Sequence, residues 1–164
     1  MVVVISKYEQ LKMDSFLDVH AQSIRVMAEE VWFHRPIDEA IRCEEQSLRG
    51  YMRNYFFQKA GSVCLIWEEA GEYVSALRLE PYQDGLILSS LETRADYRRK
   101  GYGSALVSAA IEYAAGQKIY AHVSRRNRAS MALHKKLGFR KVLDHAVYLD
   151  GDVSTSSVSL CHGE

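Results

Sequence analysis

The chain has 164 residues, 48% of them hydrophobic, which is enough for one compact α/β or α+β domain with its own core. No apolar run approaches the roughly 20 residues of a membrane helix, and the opening segment is too short, and lacks the basic start, for a secretory signal. We therefore expect a single cytosolic domain over residues 1–164. The three cysteines are odd in number, widely separated and without a CxxC pair, which predicts neither a disulfide framework nor a metal site.

The net charge of zero conceals an uneven distribution of charged residues. Residues 94–142 contain twelve Lys or Arg and two acidic residues, a balance of +10, whereas residues 1–93 contain nine basic and fifteen acidic residues, a balance of −6. A cationic segment of this kind favours a polyanionic ligand, the alternative being a face that is merely solvated.

The first half of the chain predicts a strand, two helices and three further strands. A short buried strand at residues 2–5 precedes an amphipathic helix at residues 14–30, whose apolar positions are Phe16, Leu17, Val19, Ile24, Val26 and Met27. A second helix begins at Pro36, which suits a first helical turn, and reaches about residue 58. Strands at residues 63–68, 73–80 and 86–93 follow, and short turn-like segments between them predict an antiparallel meander.

The second half alternates helices and strands. A helix at residues 103–115 is stopped by Gly116, and residues 118–124 alternate strictly, so that one face packs and the other is available. Asn127 is a good N-cap for a short helix that ends at Gly138. Strands at about residues 140–149 and 153–160 complete the chain.

A glycine-containing turn, RRKGYGS at residues 98–104, lies between a predicted strand and a predicted helix. Such a turn presents unpaired backbone N–H groups and the positive end of the helix dipole, which together form an anion site. Gly101 and Gly103 let the backbone approach a phosphate closely, and three basic side chains precede them. The expected ligand is a diphosphate; a simple tight turn is the alternative.

Spacing excludes two familiar phosphate-binding motifs. The third glycine of a GxGxxG motif would fall at Leu106, and no acidic residue lies near residues 121–124 to bind a ribose. The GxxxxGK[ST] pattern of a P-loop is absent as well.

Two motifs together carry a family resemblance. Arg98, Gly101 and Gly103 match R/Q-x-x-G-x-G/A, and the segment NRASMALHKKLGF at residues 127–139 matches a second signature about two dozen residues later. The pair resembles the GNAT superfamily of N-acetyltransferases. The resemblance implies a mixed, mostly antiparallel sheet of about seven strands flanked by about four helices, with the sheet opening between its fourth and fifth strands.

The resemblance also implies acetyl-CoA as cosubstrate, with no metal. Its diphosphate would lie on the backbone of residues 99–104, and its pantetheine would pair with the strand at residues 91–93 and meet the helix that begins at Asn127. The implied CoA-binding residues are Leu91, Thr93, Arg98, Arg99, Lys100, Gly101, Tyr102, Gly103, Ser104, Asn127, Ser130 and Lys136.

Acetyl transfer to an amine needs a neutral nitrogen nucleophile and a stabilised leaving group. For a lysine-like acceptor with a pKa of about 10.4, roughly one molecule in 2,500 is neutral at pH 7, a penalty of about 4.6 kcal/mol, so a base must help. Direct attack forms a tetrahedral intermediate, whose oxyanion a backbone N–H near residues 91–93 could stabilise, and the departing thiolate needs a donor.

Three side chains are candidates for these proton transfers. His134 stands where family members usually carry the tyrosine that donates to sulfur, and since it lies seven residues from Asn127 both project from one helical face. His122 stands where some members carry a glutamate base, and Glu92 adjoins the proposed thioester site. Tyr120 is a weaker candidate. For His134 the alternative is a solvated surface histidine, and for Glu92 it is a strand carboxylate paired with a nearby arginine.

The acceptor is predicted only as an amine on a small molecule or peptide. An acidic and aromatic group in the two N-terminal helices is a candidate for attracting it: Glu29, Glu30, Asp38, Glu39, Glu44, Glu45, Trp32, Phe33 and Tyr51. Neither a membrane nor a nucleic acid is expected as a partner, because no arginine-rich helix face accompanies the basic clusters. A sensor that binds acyl-CoA without turnover stays open, as does the choice between monomer and homodimer.

Overall fold

The computed structural model describes residues 1–163, in which nine strands and five α-helices form a mixed α/β fold. The strands are β1 (Val2–Ile5), β2 (Val63–Glu69), β3 (Glu72–Tyr82), β4 (Gly85–Thr93), β5 (Lys118–Ser124), β6 (Arg140–Leu143), β7 (Ala146–Val147), β8 (Val153–Ser154) and β9 (Ser157–His162). The helices are α1 (Met13–Val19), α2 (Ala21–Val31), α3 (Ile37–Asn54), α4 (Tyr102–Ala114) and α5 (Arg128–Lys136). None of these helices is both long enough and apolar enough to cross a bilayer.

Seven of the strands form one sheet in the order β1-β2-β3-β4-β5-β9-β6. Its neighbours pair antiparallel, except that β4 and β5 are parallel. Strands β7 and β8 pair with each other in a separate ribbon. The predicted sheet of about seven mostly antiparallel strands is therefore confirmed.

Helices cover both faces of the sheet because successive side chains of each central strand point to opposite sides. On β2, Val63 and Leu65 join the core that contains α4, whereas Cys64 and Ile66 join the core that contains α1, α2 and part of α3. The sheet thus separates α1–α3 from α4, and any opening between its strands lies between these two layers.

The predicted helix at residues 14–30 is wrong in its continuity: the structure has two helices that meet at His20. His20 has φ −94° and ψ 10°; its N–H still donates to the Phe16 carbonyl, while its own carbonyl accepts from the Ile24 N–H at the start of α2. The break also changes which residues are buried, since Ile24 and Ala28 face the core and the predicted core positions Val26 and Met27 are exposed.

Other boundaries differ near the ends of elements. The helix predicted to reach residue 58 ends at Asn54, and a single 3₁₀ turn, Phe56–Gln58, follows because Phe56 turns into the core. The strand predicted at residues 140–149 is split into β6 and β7, and that at residues 153–160 into β8 and β9. A bend at Asp144, which binds Lys141 at 2.6 Å, separates the edge strand β6 from the β7–β8 ribbon.

Candidate functional site

The parallel strands β4 and β5 separate partway along their length. Their register ends at Leu88 and Ala121, although β4 continues to Thr93 and β5 to Ser124. In the same region β4 carries a bulge: Ala76 and Arg78 of β3 face Glu92 and Ser89, so β4 has one residue more than its partner, and Ser90 adopts a positive φ of 53°. The sheet is therefore open at the carboxyl end of β4.

A cavity of about 190 Å³ occupies this opening. It is bounded by the end of β4, the end of β5 and the first two turns of α5. Its lining residues are Leu88, Ser89, Ser90, Leu91, Ala121, His122, Val123, Ser124, Asn127, Ser130 and His134. The predicted residues Leu91, Asn127, Ser130, His122 and His134 are thus brought together.

The turn at residues 98–104 presents unpaired main-chain donors at the start of α4. Within residues 1–163, the backbone N–H groups of residues 99–104 donate no hydrogen bond, and the first to find a partner is that of Ala105, which donates to the Gly101 carbonyl at 2.9 Å. Arg99 and Gly101 have positive φ values of 62° and 88°, which mark the tight turn that precedes α4. The turn fits the diphosphate predicted for it.

The side chains of this turn leave the main chain accessible. Arg98, Arg99 and Lys100 are exposed, and Arg98 Nε donates to the Thr93 carbonyl at 2.9 Å, which ties the turn to the end of β4. A Cβ atom added at Gly103 would lie 3.7 Å from the side chains of Leu133 and Thr93, an ordinary contact. Gly103 is therefore not required by packing within the chain.

Asn127 and His134 take different parts in α5. The Asn127 side chain caps the helix by accepting from the Ser130 N–H at 3.0 Å, which confirms the predicted cap. His134 is 2% exposed, and its Nδ1 donates to the Ser130 carbonyl at 2.8 Å. Its Nε2 is buried and has no hydrogen-bond partner in the described chain. Lys136 is exposed at the end of the helix and is not part of the cavity lining.

These contacts determine what His134 can do. Burial lowers the pKa of His134 and outweighs the hydrogen bond to the Ser130 carbonyl, which raises it. With its proton on Nδ1, the neutral ring presents a lone pair at Nε2. His134 must therefore first accept a proton before it can donate one.

His122 has both ring nitrogens engaged. Nε2 donates to the Val147 carbonyl at 2.9 Å, and Nδ1 lies 3.0 Å from Ser159 Oγ. Burial lowers the pKa of His122 despite the Val147 carbonyl, which keeps the ring neutral near pH 7. The ring also lines a second cavity, of about 460 Å³, beside Tyr148 and Ser90.

Glu92 is bound by a histidine and a serine. One carboxylate oxygen, Oε2, lies 2.9 Å from His20 Nδ1 and accepts from Ser23 Oγ at 2.7 Å, and Oε1 accepts from the Ser23 N–H at 3.3 Å. Burial alone would raise the pKa of Glu92, but the hydrogen bonds from His20 and Ser23 outweigh it and the pKa is lowered. Glu92 is therefore ionised at neutral pH.

Neither His20 nor Ser23 was predicted from the sequence. A continuous helix over residues 14–30 would have given His20 no special position, and only the break between α1 and α2 brings it to β4. A histidine within the predicted amphipathic helix was the one available signal.

A larger cavity, of about 590 Å³, lies between helices α1–α3 and the β4 bulge. Its lining combines apolar residues with Glu44, Arg78, Glu92, His20 and Ser23. Ser90 lines this cavity and the two described above. The opening in the sheet therefore joins the α4–α5 side to the α1–α3 side.

The predicted acidic and aromatic acceptor group is divided between different places. Glu44 lines the larger cavity and accepts from Trp32 Nε1 at 3.1 Å. Glu29, Trp32 and Phe33 line a separate cavity of about 240 Å³, and Glu39 pairs with Arg35 on the surface. Tyr51 stacks under the Arg78 guanidinium at 5.3 Å.

Solved structures of similar fold include three acetyltransferases. The PaiA N-acetyltransferase of Thermoplasma acidophilum, in complex with coenzyme A, has a TM-score of 0.67 at 13% identity, over 100% of this chain and 99% of that one. The IAA acetyltransferase of Bacillus cereus gives 0.59 at 16% identity, over 98% of each chain. The ribosomal-protein-S18-alanine N-acetyltransferase of Escherichia coli gives 0.54 at 20% identity, over 71% and 74%.

No match to this sequence is found among curated proteins. The model of the acetyltransferase (GNAT) family, in contrast, matches residues 24–139. That range includes both motifs, the open β4–β5 seam and α5, so the match covers the site as well as the sheet. The chain belongs to the GNAT family of acetyltransferases.

Proposed function

We propose that the protein transfers the acetyl group of acetyl-CoA to a primary amine by direct attack through a tetrahedral intermediate. The observation that carries the proposal is the run of unpaired N–H groups at residues 99–104 beside the open seam between β4 and β5. One feature suits a diphosphate and the other an extended chain that reaches into the sheet. The family match to residues 24–139 supports the same assignment.

The cosubstrate would be held mainly by main-chain groups. Residues 99–104 would hold the diphosphate, with positive charge from Arg98, Arg99 and Lys100. Leu91 and Thr93 would offer the edge of β4 to the pantetheine arm, and Asn127 and Ser130 border the same cavity. Lys136, exposed at the end of α5, would contribute only its charge. Acetyl-CoA itself supplies an activated thioester.

His134 would transfer a proton to the leaving sulfur. Its ring borders the cavity, and its Nε2 has no other partner in the described part of the chain. As the neutral ring carries no proton there, His134 would act as a relay that first takes up a proton and then transfers it to the thiolate. A tyrosine hydroxyl needs no such first step, so this role depends on pH in a way that tyrosine chemistry would not.

His122 and Glu92 would act through their neighbours. With both nitrogens engaged, His122 holds β5 against the segment that contains Val147, and it thereby shapes the wall of the second cavity. Glu92 is bound to His20 and Ser23, which leaves little of the carboxylate to contact an amine directly. We assign both residues to positioning within the catalytic centre.

The amine would enter from the α1–α3 side. Phe16, Ile24, Met27 and Leu48 give the larger cavity an apolar wall, while Glu44 and Glu92 supply negative charge. This combination favours a cationic amine on a small molecule or peptide with an apolar body.

The experiment is a release assay with a panel of amines, including aliphatic, aromatic and peptide N-terminal amines. We expect acetyl-CoA to raise the melting temperature and at least one amine to release free CoA. Stabilisation without release across the panel would instead support a sensor, a role favoured by the absence of a resident donor at His134 Nε2. If acetyl-CoA does not stabilise the protein and no amine releases free CoA, the proposed function is overturned.

A further inference from the structure

The large cavity between helices α1–α3 and β4 contains a histidine whose position no part of the family match explains. We propose that His20, oriented by Glu92, is the catalytic residue that takes the proton from the acceptor amine. This inference rests on the proposed function, because it assigns a residue to the acceptor side of the same reaction.

The chain break between α1 and α2 places His20 in this position. Its main chain ends one helix and begins the next. The side chain takes no part in capping either helix and instead extends to β4. The ring is 95% buried, since His20 has a relative exposure of 5%, and it packs against Phe16 with 4.5 Å between the ring centroids.

The hydrogen bonds around His20 determine its tautomer. The ionised Glu92 carboxylate can only accept, so His20 Nδ1, 2.9 Å from Oε2, carries the hydrogen. The neutral ring therefore has its lone pair on Nε2. That atom is buried and has no hydrogen-bond partner among residues 1–163, while the ring as a whole lines the cavity.

An unsatisfied basic nitrogen of this kind is suited to accept a proton. Protonation turns the ring into a cation that remains bonded to the Glu92 carboxylate, which stabilises it. Ser23 holds the carboxylate through both its hydroxyl and its N–H, so the pair is held in place before a ligand enters. His122, in contrast, has neither nitrogen available.

The other charged groups of this cavity come from the facing elements. Glu44 of α3 and Arg78 of β3 line it together with Glu92. Glu44 accepts from Trp32, and Arg78 donates to the Ser90 hydroxyl and stacks on Tyr51. Glu44 attracts the ammonium ion of the acceptor as it enters the cavity. The Arg78 cation disfavours a second positive charge in the interior, and it therefore favours loss of a proton from the ammonium ion.

The proton balance of the reaction is complete with His20 as base. The ammonium ion gives one proton to His20 Nε2, and the nitrogen then bonds to the carbonyl carbon to form the tetrahedral intermediate, which collapses as the carbon–sulfur bond breaks. Sulfur leaves with the bonding electron pair and gains the second proton of the nitrogen by way of His134. His20 returns its proton to water, so one proton is released for each acetyl group transferred.

The test is the pH dependence of kcat/KM for the amine, with acetyl-CoA saturating, in wild type, His20→Gln, Glu92→Gln and the double variant. We expect His20→Gln to lower kcat/KM by about 100-fold and to remove the acidic limb that a histidine base produces. Glu92→Gln should lower kcat/KM by about tenfold. The double variant should be no worse than His20→Gln, since Glu92 acts through His20.

Two controls separate the possible failures. His34→Gln, which changes an exposed histidine, should leave kcat/KM unchanged, and CoA affinity by calorimetry should be the same in all variants. An active wild type with an unaltered His20→Gln profile would overturn the role of His20 alone. A wild type that binds CoA but acetylates no amine would overturn the proposed function and this inference with it.

A second measurement needs no His20 variant and therefore covers the case in which His20→Gln does not fold. It compares the wild type with Glu92→Gln. In ¹⁵N-histidine spectra, the ring that responds to Glu92→Gln should carry its hydrogen on Nδ1. A hydrogen on Nε2 of that ring would overturn the proposal, because Nε2 would then have no lone pair with which to accept a proton.

Discussion

The two sides of the open sheet are built from different kinds of groups. On the α4–α5 side, the site consists mainly of backbone N–H groups at residues 99–104 and the diverging edges of β4 and β5. On the α1–α3 side, it consists of side chains that converge from three helices and two strands, such as His20, Glu44 and Arg78. The proposed cosubstrate side thus depends on chain geometry, and the proposed acceptor side depends on residue identity.

This difference explains how the two sides respond to change. Main-chain donors are present whatever the side chains are, provided that glycines and caps keep the turn in shape. Converging side chains can be replaced one at a time, each replacement altering which amine fits. We expect substitutions on the first side to affect CoA and those on the second to affect the amine.

The largest effect expected is on His134, the side-chain exception on the cosubstrate side. His134→Ala removes the proton relay to sulfur, and we expect kcat to fall by about 100-fold with little change in CoA affinity. Steady-state kinetics with both substrates saturating measure it, and His34→Ala is the matched control. An unchanged kcat, with chemistry shown to be rate-limiting, would contradict the role of His134.

A second effect concerns the backbone turn. Gly103→Val should weaken CoA binding at least about tenfold, or 1.4 kcal/mol, because a branched side chain would stand where the phosphate approaches. Calorimetry measures this affinity. Gly50→Val is the control, since Gly50 lies within α3 with nothing within 4 Å of an added Cβ and should cost similar helix stability without affecting CoA. Equal affinities in the two variants would remove the proposed phosphate site.

A smaller effect is expected at Asn127, where stability and binding can be separated. Asn127→Ala removes the cap of α5 and should lower the free energy of unfolding by about 1 kcal/mol. Asn127→Asp keeps the capping oxygen, and therefore the stability, but it loses the amide donor that faces the cavity. Chemical denaturation measures the capping role of Asn127, and CoA titration measures its binding role. If Asn127→Asp binds CoA as tightly as the wild type does, Asn127 only caps the helix.

The smallest effect is a dependence of stability on pH. Burial lowers the pKa of both His134 and His122, so below about pH 6.5 the unfolded chain binds more protons than the folded one. Stability should therefore be complete above pH 6.5 and fall on acidification to pH 5.5. His134→Gln should reduce this loss of stability, and His34→Gln should not. Thermal melts of both variants between pH 5.5 and 6.5 measure the loss. Equal losses in the two variants would contradict a neutral His134 in the folded protein.

The features that the sequence predicted correctly are those that depend on the local main chain and on motif spacing. Strands β1 and β5 and the cap at Asn127 were predicted correctly, because alternation and capping are local properties of the chain. The family motifs predicted the opening between β4 and β5 and the position of His134, since both depend on fixed spacing.

The acceptor side was not predictable in this way. His20 reaches Glu92 across 72 positions of sequence, and nothing local to either residue indicates the contact. The break between α1 and α2 arises from tertiary packing that overrides a continuous helical pattern. The predicted group of acidic residues is divided for a related reason: only Glu44 of that group lines the large cavity.

The bulge at Ser90 determines what the deletion of one residue of β4 would do. Before it, Leu86 and Leu88 point to the α4 side; after it, Leu91 and Thr93 do so, and Glu92 points to His20. A regular strand that kept all of these residues would place Glu92 on the opposite face. Loss of the Ser90 codon would thus remove the irregularity and leave Leu91, Glu92 and Thr93 on their present faces, whereas straightening β4 without that loss would exchange them.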